Sequence, residues 1–401
     1  MTRMLSKGVK VTIAGSVTNF FIGTFYSWSV FADGLIYDLN WSKAEATLPY
    51  TVEVFIFAIM MFFAGRFQDK IGAQKGVTIS GLITGVSFLL CAIHPTPLSL
   101  TLFFGVLFGT GAAFGYASVT PAAMKWFPPE KRGLITGIVV MSLGAGSLLW
   151  PPLLHLLIDT FGVIKTFFLW GLLLLAAILL MSRLISEPDE CPFEEEAAVP
   201  TAKLELKRII SKPTFILLWL IMGLSCGTGL MVVGHLAQIA RINFQVEVGY
   251  LLVSFFALFN TLGRFCCGLI TDRIGYFRAM FGAFIITFCS MMICLSGGGL
   301  LALLPGTILL AFSYGSLYTS FPAAAAELFG LQNFGAYYGL LFTSVGIGGS
   351  LGPFLAGYLA DIYGNYNMTF VMGIAASLGA LLLALVLKNA LRKKQHLYFQ
   401  G

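Results

Sequence analysis

Long apolar runs, separated by short polar breaks, fill almost the whole chain. A run of about 20 apolar residues is long enough for an α-helix to cross the hydrocarbon core of a bilayer. The pattern therefore predicts twelve transmembrane helices, at residues 11–35, 44–64, 76–94, 98–125, 133–158, 164–186, 213–240, 247–270, 279–297, 300–326, 334–360 and 366–387. Such a chain belongs to the all-α class of membrane proteins.

The composition supports the same class. The 401 residues are 58% hydrophobic and 10% charged, with a mean hydropathy of +0.88, whereas soluble domains contain about 25% charged residues. Because little chain is left outside the membrane, a soluble enzyme and a nucleic-acid-binding module are excluded as the main function. The seven cysteines include no CxxC pair and lie mostly in apolar runs, which favours buried thiols over a disulfide framework or a zinc site.

The basic residues predict the orientation of the helices. If the N-terminus is cytoplasmic, 20 of the 24 Lys and Arg residues fall in cytoplasmic segments. Lys43, Lys165 and Arg241 fall outside, and Arg264 lies within a span. The net charge of +6 is therefore a topology signal. We expect a multi-pass protein of the cytoplasmic membrane with both termini inside and no cleaved signal peptide, since the run from Val11 continues as a span.

A single extended polar stretch, residues 187–212, divides the predicted helices into six and six. It is acidic first and basic afterwards, which indicates a solvated cytoplasmic linker with a short amphipathic helix at its basic end. The predicted domains are thus an N-terminal bundle at 1–186, the linker, a C-terminal bundle at 213–390 and a cytoplasmic tail at 391–401. The last five residues, from Leu397, have the sequence of a protease-site remnant from protein production.

The two halves repeat. The motif Gly65-x3-Asp69-Lys70-Ile71-Gly72 recurs 203 residues later as Gly268-x3-Asp272-Arg273-Ile274-Gly275. Four glycines and a proline of span five recur 202 residues later in span eleven, namely Gly133, Gly137, Gly144, Gly146 and Pro151 as Gly335, Gly339, Gly346, Gly348 and Pro353. Two similar bundles related by an axis along the membrane normal are typical of transporters that bind substrate between them.

The doubled motif GxxxD(R/K)xG resembles the loop motif of the major facilitator superfamily, and the resemblance covers nearly the whole chain. More narrowly, the chain is similar to the monocarboxylate transporters and the oxalate–formate antiporters, in Tyr26–Ser29, Lys125–Gly133, Asn260-x3-Arg264 and Tyr318–Pro322. The resemblance implies the major facilitator fold, with twelve helices in two pseudo-symmetric six-helix bundles, and transport by alternating access. It also implies that the aspartates of the two gating loops (Gly65, Asp69, Gly72 and Gly268, Asp272, Gly275) brace helix ends in the inside-closed state.

Arg264 is the most informative residue. A charged arginine at the centre of a membrane helix costs about 2.5–3.5 kcal/mol on insertion scales, and arginine does not lose its proton in proteins. Its planar guanidinium fits a carboxylate with two parallel hydrogen bonds. Arg264 therefore indicates an anion site, with a static salt bridge to Glu53 or contacts to backbone carbonyls as alternatives. The resemblance favours the first interpretation, because the family's substrate-binding arginine aligns with it.

Further polar residues join this candidate site. Asn260 lies one helical turn before Arg264 on the same face, where it could donate to substrate or hold the guanidinium. The resemblance places an aspartate here in animal monocarboxylate transporters, so one obvious titrating group is missing. Tyr116 and Tyr318 occupy similar places in the two halves, and Tyr314 lies one turn from Tyr318; packing is the alternative role for each.

Two residues are candidates for proton coupling. Glu53 lies about eight residues into span two, in an otherwise apolar run. His235 lies in the outer half of predicted span seven, and histidine is the residue type used most often for proton transfer at physiological pH. His235 is also a candidate substrate ligand. The alternative for both residues is a hydrogen-bonded packing role.

The sequence predicts proton-coupled symport of a small monocarboxylate, L-lactate or pyruvate, across the bilayer. The oxalate antiporters carry a second cation, a lysine in span eleven, whereas the aligned residue is Val345 and no Lys or Arg occurs between Glu327 and Lys388. An oxalate/formate-type anion antiporter is the alternative. Paired aspartates, HExxH and a Ser–His pairing are absent from the sequence, so we expect no enzyme, no metal and no cofactor besides the proton as coupling ion, and neither a nucleic-acid nor a protein partner is inferred.

Overall fold

The computed structural model describes residues 2–188, 211–245, 249–331 and 333–398, and the regular secondary structure in these ranges is helical throughout. The first half contains α1 (Thr2–Ile22), a 3-10 segment (Gly23–Ser27), α2 (Trp28–Leu39), α3 (Lys43–Ile71), α4 (Ala73–Ile93), α5 (Pro97–Leu100), a π-helical segment (Thr101–Phe108), α6 (Gly109–Met124), a second 3-10 segment (Pro129–Lys131) and α7 (Arg132–Ser182). The second half contains α8 (Pro213–Val233), α9 (Leu236–Phe244), α10 (Gly249–Ile274), α11 (Tyr276–Leu295), α12 (Leu300–Phe329), α13 (Phe334–Tyr363) and α14 (Asn367–Tyr398).

The predicted spans correspond to these helices. Ten helical stretches within the described ranges are long and apolar enough to cross a membrane. One of them, the 54-residue stretch Pro129–Ser182, contains predicted spans five and six, and it is broken at Gly162, whose φ of 77° and ψ of 162° are not helical. The first predicted span is also helical, but the 3-10 segment Gly23–Ser27 divides it. The all-helical membrane fold expected from the sequence is therefore confirmed.

Several predicted boundaries differ from those of the helices. Span two was predicted to end at residue 64, but α3 continues to Ile71 and so includes most of the first repeated motif. Span eight likewise continues to Ile274 through the second motif. Span seven was predicted to reach residue 240, but α8 ends at Val233 and the separate helix α9 follows. In each case the hydropathy of the sequence predicts where the chain leaves the apolar layer. The helix itself ends where its backbone hydrogen bonds stop, and this residue is a different one.

The repeated motifs end their helices in the same backbone conformation. Gly72 has φ 91° and ψ 153°, and Gly275 has φ 82° and ψ 155°. Residues with a side chain rarely adopt these angles, so the glycines are required for the sharp turn into the next helix. The sequence repeat is thus also a repeat of local geometry.

The described residues form two compact units. The first contains residues 2–188 together with Ala325–Thr343, and the second contains residues 211–324 and 344–398. The segment Ala325–Thr343, which spans the end of α12 and the start of α13, therefore groups with the N-terminal helices although the sequence repeat assigns it to the C-terminal half.

An aromatic core fills the first unit. The ring centroids of Trp28 and Phe104 are 4.0 Å apart, and those of Phe31 and Phe167 are 4.8 Å apart. Trp28 is 3% exposed, and its indole N–H donates to the carbonyl of Ala46 at 2.7 Å. These contacts join α2, α3, α7 and the π-helical segment, and they place Trp28 in the core of this unit.

The predicted linker begins with a residue that is not fully solvated. Glu187 accepts hydrogen bonds from Lys125 Nζ at 2.7 Å and from Gln68 Nε2 at 3.1 Å. Its other carboxylate oxygen lies 3.4 Å from the backbone nitrogen of Ala73, the first residue of α4. The remaining linker from 189 to 210, with its expected amphipathic helix, and residues 399–401 lie outside the described residues. The helix α14 continues through the predicted tail to Tyr398.

Candidate substrate-binding and coupling residues

Close contact between α10 and α12 positions Arg264. A Cβ atom on Gly263 would lie 2.1 Å from the carbonyl oxygen of Phe312, and one on Gly315 would lie 2.0 Å from the carbonyl oxygen of Asn260. Two glycines thus allow the helix backbones to touch on either side of the arginine. Arg264 is 2% exposed in this position, so its charge is held within the second unit.

Two tyrosines of α12 surround the arginine side chain. The guanidinium carbon of Arg264 lies 5.0 Å from the ring centroid of Tyr318, within the range of a cation–π interaction. The hydroxyl groups of Tyr314 and Tyr318 are 2.8 Å apart, and their rings meet edge to face. We call Arg264, Tyr314 and Tyr318 the arginine–tyrosine cluster. It combines a permanent cation with two phenolic hydroxyls, which suits it to a carboxylate.

The backbone around the cluster is also fixed. Thr319 Oγ1 donates to the carbonyl oxygen of Arg264 at 2.9 Å, and a Cβ on Gly229 of α8 would lie 2.2 Å from the Tyr314 ring. The ring of Tyr314 therefore lies directly on the backbone of α8. The sequence analysis missed Thr319 and Gly229 because neither residue type indicates a site by itself.

Asn260 connects the same two helices. It is 5% exposed, and its amide nitrogen donates to the carbonyl of Ala311 at 3.5 Å, a long hydrogen bond. The side chain thus contacts the backbone of α12. This contact is neither of the two roles predicted for Asn260, which stay predictions. The structure brings together Arg264, Asn260, Tyr314 and Tyr318 in the second unit.

Tyr116 lies in the first unit, within a second group of aromatic rings. Its ring centroid is 5.9 Å from that of Phe57 and 5.9 Å from that of Phe342, and Phe57 and Phe342 are 5.8 Å apart. Tyr116 is 3% exposed. We call Phe57, Tyr116 and Phe342 the Tyr116 cluster; it joins α3, α6 and the start of α13.

Glu53 lies one helical turn before Phe57 on α3. It is fully buried, and both of its carboxyl oxygens lack a hydrogen-bond partner in the part of the chain that the structure describes. The predicted alternative, a static salt bridge from Glu53, is therefore not formed among those residues. The facing residue of α6 is Gly109, where a Cβ would lie 3.0 Å from the Glu53 carbonyl oxygen.

His235 belongs to a separate polar cluster. It precedes α9, outside the membrane helix α8, and its Nε2 lies 2.9 Å from the carbonyl of Pro353. Its Nδ1 lies 3.0 Å from Gln238 Oε1 and 3.2 Å from the hydroxyl of Tyr366. Burial raises the pKa of that Tyr366 hydroxyl above its ordinary value, with a smaller contribution from the charge of Asp361. The expected position of His235 inside a span was wrong, and its partners were missed because they lie in three different elements.

Asp69 makes the most specific contact of the gating motifs. Its Oδ1 accepts from the backbone N–H of Gly335 at 3.1 Å, and its Oδ2 accepts from that of Ala336 at 2.7 Å. A Cβ on Gly65 would lie 1.9 Å from the carbonyl oxygen of Gly335, so α3 and α13 touch through these two glycines. Asp69 thus binds the N-terminus of α13, whereas Asp272 and Gly268 lie in the last two turns of α10.

Comparisons with known proteins place the chain in one family of transporters. The model of the Major Facilitator Superfamily matches residues 13–304 and 239–398. The MFS-type transporter YhjX of Escherichia coli is 28% identical over 342 residues, covering 84% of this chain and 85% of that protein. The oxalate:formate antiporter of Oxalobacter formigenes is 26% identical over 344 residues (83% and 81%), and human monocarboxylate transporter 11 is 29% identical over 322 residues (75% and 66%).

Solved structures show the same fold. FucP in its outward conformation superposes with a TM-score of 0.73 at 15% identity, covering 94% of this chain and 99% of FucP. A bacterial homologue of ferroportin in its outward-facing state gives a TM-score of 0.74 at 16% identity, covering 96% and 99%. The relatives and solved structures described here carry the names of transporters and not of enzymes.

Proposed function

Because the chain belongs to the major facilitator superfamily of transporters, we propose that it carries a small monocarboxylate, L-lactate or pyruvate, together with a proton by alternating access. The observation that carries the proposal is the buried Arg264, held 5.0 Å from the ring of Tyr318. The names of its relatives support an organic anion as substrate, since they include monocarboxylate transporters and an oxalate:formate antiporter.

The chemistry of the arginine–tyrosine cluster selects an anion. Arg264 keeps its charge at all accessible pH values. A substrate carboxylate can accept two parallel hydrogen bonds from the guanidinium, and the hydroxyl of Tyr318 or Tyr314 can donate to a remaining oxygen. Bound substrate would therefore neutralise the site before it closes.

The charge count favours a single carboxylate. Arg264 is the one Lys or Arg in the interior of a predicted span of the sequence, since Lys125, Lys165 and Arg183 lie at the ends of theirs. The resemblance places a lysine of the oxalate antiporters at the position where α13 carries Val345. One cation matches one negative charge, and a co-transported proton makes the cycle electroneutral. No further cofactor enters this scheme.

The test is uptake of radiolabelled lactate into proteoliposomes with and without an imposed inward proton gradient. We expect gradient-driven accumulation that is inhibited by unlabelled pyruvate more strongly than by oxalate. Arg264→Lys, which keeps the charge and loses the planar fork, and Arg264→Gln should both lose uptake. Arg241→Lys is the matched control, because Arg241 is exposed on α9. Wild-type uptake by Arg264→Gln would refute the proposed site.

Exchange of oxalate or formate is the second candidate, favoured by the antiporter relative. An antiporter needs a substrate on the opposite side of the membrane, whereas a symporter does not. Lactate uptake that requires internal formate, and that ignores the proton gradient, would replace symport with exchange.

We also propose a cytoplasmic-membrane location with both chain termini in the cytoplasm, on the distribution of Lys and Arg. In this orientation the exposed Asp159 faces the outside. A cysteine introduced there should react with a membrane-impermeant maleimide in intact cells beyond the labelling of the parent chain; labelling only after cell lysis would reverse the orientation.

A further inference from the structure

We propose that Glu53 carries the coupled proton and is protonated in the conformation seen here. The inference rests on the proposed symport, which it deepens by naming the proton site. It is carried by the position of the carboxyl group within the first unit. There the carboxyl is buried, it has no hydrogen-bond partner among the described residues, and it lies one helical turn from Phe57 of the Tyr116 cluster.

The surroundings of Glu53 do not support a charge. The residue has no exposed surface, and within the described ranges its two carboxyl oxygens make neither a hydrogen bond nor an ion pair. Moving an ionised carboxylate into such a place without a partner costs many kcal/mol, whereas the neutral acid avoids most of that cost. The proton is therefore part of this conformation.

Among the described residues, no cationic side chain forms an ion pair with Glu53. On the side of α6 and the π-helical segment, the residues facing this part of α3 are the glycines Gly109 and Gly105. The titratable side chains of this region include Tyr50, one turn earlier on α3, which interacts electrostatically with Glu53. They also include Tyr26 of the 3-10 segment, which interacts electrostatically with Tyr50. Both are phenols without a positive charge, and neither donates a hydrogen bond to the Glu53 carboxyl oxygens in the described chain.

Glu53 is linked to the Tyr116 cluster through its own helix. Phe57 follows Glu53 by four residues on the same face of α3, and its ring contacts those of Tyr116 and Phe342. For Glu53 to lose its proton, water must reach it, and the close contact of α3 with Gly109 of α6 must loosen. Release of the proton is thus tied to a rearrangement beside Tyr116, a predicted substrate contact.

This linkage makes protonation a bias between conformations. The neutral side chain is compatible with the packed arrangement, whereas the charged one favours any conformation in which the carboxylate is hydrated. A ligand, here the proton, shifts a conformational equilibrium only if its affinity differs between the two states. A carboxyl group that is buried in one state and hydrated in the other has a much higher proton affinity in the buried state.

The experiment compares two transport modes in Glu53→Gln, which mimics the protonated acid. Driven uptake is measured with an inward proton gradient, and counterflow is measured as entry of labelled lactate against internal unlabelled lactate at equal pH. We expect Glu53→Gln to lose gradient-driven accumulation and to retain counterflow at the wild-type rate. Glu45→Gln is the matched control, because Glu45 is exposed at the start of the same helix and its capping box with Ser42 accepts either residue.

The outcomes separate this inference from the proposed function. Gradient-driven accumulation by Glu53→Gln, with coupled wild-type transport, would overturn the role of Glu53 alone. Loss of both modes in a monodisperse Glu53→Gln protein would assign Glu53 to substrate binding or packing and would also overturn it. Absence of coupling in the wild type would refute the symport itself, and the proton site with it.

A measurement without substrate provides an independent check. Infrared difference spectra of the wild type against Glu53→Gln at neutral pH should contain the carbonyl stretching band of a protonated carboxylic acid. The same comparison for Glu45→Gln should contain only carboxylate bands. A carboxylate band for Glu53 at neutral pH would refute its protonation in this conformation.

Discussion

Asp69→Asn should release the N-terminus of α13 from the end of α3. The first four N–H groups of a helix have no acceptor within that helix, and α13 begins at Phe334. The N–H groups of Gly335 and Ala336 are instead satisfied by the carboxylate of Asp69, at 3.1 and 2.7 Å. Asp69 is therefore a helix cap supplied by a residue 266 positions earlier in the chain.

The magnitude follows from these two bonds. A hydrogen bond to a charged group contributes about 1.5–3 kcal/mol, and a carboxylate at a partly buried helix N-terminus up to about 2 kcal/mol; the two figures overlap because they describe the same charge. Asparagine keeps one acceptor oxygen and turns an amino group towards the other N–H. We expect the contact to weaken by about 2 kcal/mol, or roughly 30-fold in its opening equilibrium.

Hydrogen–deuterium exchange of the peptide that begins α13 measures this opening directly. The amides of Gly335 and Ala336 should exchange roughly 30-fold faster in Asp69→Asn than in the parent chain. Asp159→Asn is the control, since this carboxylate is 62% exposed and pairs only with His155 one turn away. Unchanged protection at the start of α13 in Asp69→Asn would refute the capping role and the expected contribution of this contact to gating.

Two further predictions concern the second unit. Tyr314→Phe removes the hydroxyl that lies 2.8 Å from that of Tyr318, while the ring packing is retained. We expect the substrate-binding free energy to weaken by about 1 kcal/mol, measured as a roughly fivefold higher KM for lactate uptake. An unchanged KM would show that Tyr314 does not orient Tyr318. Gly275→Ala should lower the thermal unfolding midpoint, because its φ of +82° costs a side chain about 1–3 kcal/mol although a Cβ there would meet no atom within 4 Å. Gly282→Ala, in the interior of α11 with equally open space, should leave the midpoint equal or higher, and equal midpoints for both variants would contradict the strain argument.

The helices were predictable from the sequence because lipid leaves the backbone little choice. Peptide groups in a bilayer must form hydrogen bonds within the protein, so each long apolar run becomes a helix. The ends of the helices were less predictable. Hydropathy falls at Gly65 because charged residues follow, yet α3 continues to Ile71. These additional residues, about two helical turns, place Asp69 at the start of α13.

The candidate site was predictable in part, for a related reason. Arg264 is conspicuous because a cation is rare in an apolar run, and its neighbours Asn260, Tyr314 and Tyr318 follow from helical spacing and resemblance. The partners of Glu187 were not predictable, since Lys125 and Gln68 lie 62 and 119 residues away in the chain. An acidic residue at the start of a polar stretch is typical of a solvated linker, and only tertiary contacts distinguish the two cases.

Three charged or ionisable groups are held in three different ways, and the difference suggests what each can do. Asp69 is compensated by backbone N–H groups of another helix, so its bonds can break and reform as α13 moves. Arg264 is permanently charged and lies beside an aromatic ring, so it cannot lose its charge by releasing a proton. Glu53 is a carboxyl group that loses its charge when it takes up a proton, and its oxygens have no hydrogen-bond partner in the described chain. The proposed carrier, which couples an anion to a proton, needs one group of each of the last two kinds.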